Sequence, residues 1–223
     1  MNIHSYQKMA KSPTVRAKTT AMRRTRRAVA DDPWKSPTGV KRQAIVRAAL
    51  ELFVDRGFYG TAVPDIAARA KVGAGTIYRY FDSKEALVNA LYRQEKARFA
   101  QLVIADFPEG TTREQFRATW MRMARFAIEN PKSFVFLELH HHARYLDAES
   151  RAIEQRMMGL FSEFVVAAQA RNELKPGPPA LVMGLILGAF GGVIRCCLAC
   201  DQPLEHADWQ LAEQCIWEAV GHS

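Results

Sequence analysis

Six consecutive residues, Gly75-Thr76-Ile77-Tyr78-Arg79-Tyr80, put hydroxyls, a guanidinium and an open stretch of backbone side by side. These groups suit a polyanion. Thr and Tyr hydroxyls fit phosphate oxygens, Arg bridges two acceptors on a guanine edge or pins a phosphate, and Gly lets amides come close. Lys84, at the start of the next helix, adds a cation where the helix N-terminus already favours an anion. Other chemistry-bearing clusters are weaker. Neighbours on a helix point about 100° apart, so His140-His141-His142 cannot all chelate one ion. Glu138 and His142 are spaced i, i+4 but lack further ligands, and no metal is expected. Cys196, Cys197, Cys200 and Cys215 cluster near the end with no partner set, and read as small packed thiols. No nucleophile–base pair and no glycine-rich phosphate loop occurs, so no catalytic residue, enzyme activity or cofactor is expected.

The elements that must hold the polar run are helical. Ile45, Ala48, Ala49, Leu52 and Phe53 mark one face of a helix from Thr38 to about Gly57. Thr61 and Pro64 open a short helix with Val63, Ile66, Ala67 and Ala70 on its apolar side. After a break at 71–74 comes a very short helix, 75–81, and Ser83 caps a long one to about Ala105. Five more follow, at 113–129, 131–144, 148–172, 179–200 and 206–220. No segment alternates with period two, so the fold is predicted all-α with nine helices. A three-helix helix-turn-helix occupies 38–84, with Ile45, Leu52, Phe53, Ile66, Ala67, Val72, Ile77 and Phe81 as its core.

Charge is placed to match. Residues 1–37 hold nine Lys/Arg against two Asp, whereas 83–223 hold fifteen against seventeen acids. The first 37 residues, with Pro13, Pro33 and Pro37 and no hydrophobic period, read as a basic disordered arm. They lack the apolar stretch of a signal peptide, and a cytoplasmic protein is expected.

The run over 44–87 (AIVRAALELF, then GF, TAVPDIA, VGAGTIYRYF and KEAL) resembles the DNA-binding domain of the tetracycline-repressor (TetR) family. The resemblance implies a transcriptional repressor that binds a palindromic operator as a homodimer and is released by a small molecule. It implies DNA contacts at Thr61, Gly75, Thr76, Tyr78, Arg79, Tyr80 and Lys84. Two positions depart from the pattern: Lys71 stands where Gly is usual in the turn, and Gly73 where Ser or Thr caps the last helix.

Residues 85–223 then form the ligand-binding and dimerisation domain. An apolar pocket is expected from Trp120, Met123, Phe126, Phe134, Leu137, Met157 and Phe161, with His141 as a polar point. Its cargo is a small hydrophobic effector. The last two helices are expected to pair between subunits through Gly184, Gly188 and Gly192 and the apolar Leu185, Leu211, Ile216 and Trp217. The apolar run at 180–194 is too short to span a bilayer, so no membrane is expected. Two alternatives remain: a sequence-nonspecific DNA-coating protein driven by the basic arm, and a helical enzyme.

Overall fold

The computed structural model describes residues 37–139, 144–200 and 204–222. Nine α-helices and no strand occur among them. The expected arm lies outside the described residues apart from Pro37, and so do His140, His141 and His142. The described residues divide after Leu87 into two units. That boundary falls inside a helix, where the sequence reading ended the DNA-binding part at Lys84.

In the first unit, α1 (Pro37–Arg56), α2 (Val63–Ala70) and α3 (Ala74–Tyr78) close over one small core. Ile45, Ala49, Ile66 and Ile77 are essentially inaccessible, with Leu52, Phe53, Ala67 and Phe81 beside them. Val72 is only half-buried. Gly57, with φ +70°, ends α1 in the left-handed region that a side chain disfavours. Lys71 caps α2 at φ +56°, its N–H donating to Ala67 and Ala68 carbonyls. A lysine in that region carries strain of about 1 kcal/mol. Gly73 caps α3 with no side-chain hydrogen bond.

In the second unit, the rest of α4 (Lys84–Phe99) runs into a π-helical turn, Ala100–Ile104. The Arg122 guanidinium closes that turn by donating to the Val103, Ala105 and Asp106 carbonyls. Next come α5 (Thr112–Glu129), α6 (Pro131–Phe134), α7 (Ala148–Ala170), α8 (Pro179–Cys200) and α9 (His206–Val220). A reciprocal capping box, Thr111 with Glu114, starts α5. The helix expected over 131–144 is α-helical only to Phe134 and continues as a π turn, Val135–Leu139. A widened turn leaves the apolar period nearly intact, so sequence periodicity does not reveal it.

Two features hold this unit together. Phe190 of α8 packs edge-on to Trp120 at 5.0 Å and against Trp209 at 5.5 Å, and the Trp120 indole donates to the Trp209 carbonyl at 3.1 Å. On α4, buried Lys96 sits 2.8 Å from Glu154 of α7 and 3.6 Å from Glu138, and the Tyr92 hydroxyl donates to Glu154. Burial, then the bond to Glu154 and the charges of both acids, push the Tyr92 phenol far above its ordinary range, so it stays a donor.

Candidate DNA-binding face and ligand cavity

The polar run found in the sequence lies along α3 and the turn after it. Ile77 points inward at 1% exposure and anchors the helix, and Phe81 closes its end. Around that anchor Gly75, Tyr78 and Arg79 are exposed, and Thr76 and Tyr80 half-buried. A Cβ on Gly75 would meet nothing within 4 Å, so its backbone is open to approach. Arg79 and Tyr78 make no ion pair or side-chain hydrogen bond among the described residues, which leaves their donors available. Tyr59, 72% exposed in the α1–α2 turn, carries no comparable sequence signal. Neither does Arg42, whose guanidinium lies over the Phe81 ring at 5.1 Å.

Two expected contacts behave differently. Thr61 is 1% exposed, and its hydroxyl faces the Gly57 carbonyl at 2.8 Å and the Leu52 carbonyl at 3.1 Å. The side chain satisfies the end of α1 and is turned away from solvent, so its hydroxyl is not held ready for the contact that the resemblance implies. The N-cap of α2 is Ala62, not Thr61. Lys84 donates to the Phe58 and Thr61 carbonyls at 2.9 and 3.0 Å, and its ammonium lies 4.2 Å from the Phe58 ring centroid. It clasps the α1–α2 turn and retains a single donor for any outside acceptor.

The second unit holds a half-open cavity of about 370 Å³. Ile104 and Phe107 form one wall and Phe116, Thr119, Trp120 and Met123 of α5 another. Leu160, Phe161, Glu163, Phe164 and Val165 of α7 and Met183, Ile186 and Leu187 of α8 complete it. Of the residues expected there, Trp120, Met123 and Phe161 line it. Phe126, Phe134, Leu137 and Met157 do not: all four are buried packing elsewhere in the unit. Phe126 packs edge-on against Phe99, and Phe134 lies tilted against Phe190. His141 lies outside the described residues. The α8 wall is not expected from the glycine pattern, which marks a different face of that helix. Met183, Ile186, Leu187 and Phe190 recur at helical spacing on another face of the same helix, and that period was the available signal. Among the described residues no group of three His, Cys, Asp or Glu is placed to hold a metal ion.

Comparison with known proteins places both units. The family model for the N-terminal domain of "Bacterial regulatory proteins, tetR family" matches residues 45–91. That for "Tetracyclin repressor-like, C-terminal domain" matches 92–222. The chain belongs to the TetR family. An HTH-type transcriptional repressor of Mycobacterium tuberculosis is 38% identical over 81 residues, 35% of this chain and 43% of that protein. The match thus spans less than half the length of that relative. Two TetR-family transcription regulators of known structure extend further. The one from Marinobacter aquaeolei VT8 has a TM-score of 0.72 and 26% identity, over 82% of this chain and 96% of its own. The one from Shewanella sp. PV-4 has a TM-score of 0.70 and 27% identity, over 82% and 99%. The all-α fold with an N-terminal helix-turn-helix is therefore that of this TetR family.

Proposed function

We propose that this TetR-family chain is a repressor that binds an inverted-repeat operator as a homodimer, acts in the cytoplasm, has no enzymatic role, and is released by an apolar small molecule. The observation that carries the reading is the outward polar edge of α3 and its C-cap Arg79, whose guanidinium has no ion pair among the described residues, on a helix too short to persist without its core anchor.

Pairing is supported by α8. Leu181 and Leu185 are 58% and 50% exposed, and a Cβ on Gly184 or Gly188 would meet nothing within 4 Å. Leu211 of α9 is 61% exposed. Trp217 is instead spent within the chain, packed on the core of Val165, Leu174 and Val220 with Arg113 over its ring. The helix is 22 residues long, beyond the 15 counted up to Arg195, and Pro179–Leu198 is long and apolar enough to cross a membrane. A second copy covers such a face equally well, and glycines allow close approach. Sedimentation of the purified chain without detergent should give a dimer, and Leu185→Arg should give monomers.

Release follows from connectivity. α7 supplies Leu160, Phe161 and Phe164 to the cavity and, earlier along the helix, Glu154 to Lys96 and Tyr92 of α4. A ligand that displaces α7 therefore acts on α4, whose first turn belongs to the DNA-binding unit. Only unequal affinity for the DNA-competent and released states can drive this change. The test is binding of the full chain to palindromes near its own coding region and to random duplex, at several salt concentrations. Preference for a palindrome, weakened in Arg79→Ala and Tyr80→Phe, supports the repressor. Equal binding to both duplexes supports the coating protein instead.

A further inference from the structure

The wall of the cavity is apolar except at two side chains, Thr119 and Glu163. Thr119 has already used its hydrogen, donating to the Gln115 carbonyl at 2.8 Å. Glu163 is exposed and has neither an ion pair nor a hydrogen bond among the described residues. No Lys, Arg or His lies among the lining residues. Arg122, on the same helix as Thr119, has its guanidinium committed to the carbonyls of the π turn. Among the described residues the only ionised group lining the cavity is thus a carboxylate, and Phe107, Phe161 and Phe164 line the same cavity.

We infer that the effector is a lipophilic cation, an apolar body bearing one positively charged nitrogen. The inference rests on reading this cavity as the effector site. An acid with the same apolar body would bring its charge beside a like charge, with no counterion among the described lining residues. A cationic nitrogen meets an attraction at Glu163 where the acid meets a repulsion. Its tail fills the apolar volume while its head stays near the Glu163 carboxylate at the wet edge, within reach of ring faces that attract cations.

Three probes that share a chain separate charge from greasiness: decyltrimethylammonium, decanol and decanoate. Each is titrated into the full chain at neutral pH below its micelle concentration, with affinity read by calorimetry. The ammonium should bind about tenfold or more tighter than decanoate, with decanol between. Glu163→Gln should shrink that gap several-fold without altering the melting temperature, because the side chain is exposed. Met183→Trp, which fills the cavity, should weaken all three. Decanoate binding as tightly as the ammonium overturns the inference, as does a gap unchanged in Glu163→Gln, no ammonium binding, or Met183→Trp binding as before. The proposed repressor is judged separately: if decanoate binds better and releases DNA, ligand-released repression stands and the cationic effector falls.

Discussion

The two units use their apolar residues in opposite ways. The first closes Ile45, Phe53, Ile66 and Ile77 into a core so that a few polar side chains on α3 are held outward at fixed places. The second buries larger aromatics, Trp120, Phe190 and Trp209, and still leaves about 370 Å³ unfilled. A surface that reads a fixed polymer gains from rigidity. A site that must respond needs volume that its own side chains decline to occupy, and a wall that can move. The comparison implies that equal truncations should have unequal costs in the two units.

The largest expected effect is Phe53→Ala, which opens a void in a full core and should cost about 3 to 5 kcal/mol in urea unfolding. Phe161→Ala enlarges space that already exists and should cost roughly 1 to 2 kcal/mol, a smaller share of the same transfer and cavity terms. Similar losses at the two sites would break the contrast. Next comes Arg79→Ala, which should weaken operator binding by about 1 to 3 kcal/mol with its melting curve unmoved. A shifted curve would make Arg79 a packing residue.

Relief of strain in the turn is smaller. Lys71→Gly should stabilise the first unit by about 0.5 to 1 kcal/mol, since glycine accepts φ +56° but is freer when unfolded. The smallest effect concerns acid. Burial alone would raise the Asp147 carboxyl, but hydrogen bonds from the Ser150 amide and from Arg93 of α4 outweigh it and hold its pKa below the ordinary value. A depressed folded pKa stabilises above the unfolded value of about 3.9, and the benefit is lost as pH falls through the folded one. Asp147→Asn should therefore lower stability slightly at neutral pH, where the ionised carboxylate contributes, and change it little at low pH, so the acid limb flattens.

What could be read from residues alone follows the same division. In the first unit the devices that set the helix ends are local. Gly57, Pro64, Ser83 and the Ile66–Ala67 period lie within a few residues of what they control, and the Ser83 hydroxyl accepts from the Ala86 amide as a cap should. Thr61 misled because its side chain serves α1 behind it, a choice that spacing does not encode. In the second unit the cavity is defined by what four helices fail to fill. Phe126 and Phe164 look alike in sequence, yet one is packed shut and the other lines the space. The charge character of the cavity was hidden for the same reason, because Glu163 is one acid among many until it is found lining the same cavity as Leu187 and Phe107.

The central claim is that α3 reads a sequence. The direct measurement is fluorescence anisotropy of the full chain on a palindrome from beside its own coding region, against a scrambled duplex of equal composition at physiological salt. The account predicts a preference of about a thousandfold or more for the palindrome, as specific regulators show over non-specific duplex. Equal affinity for the two duplexes would contradict it.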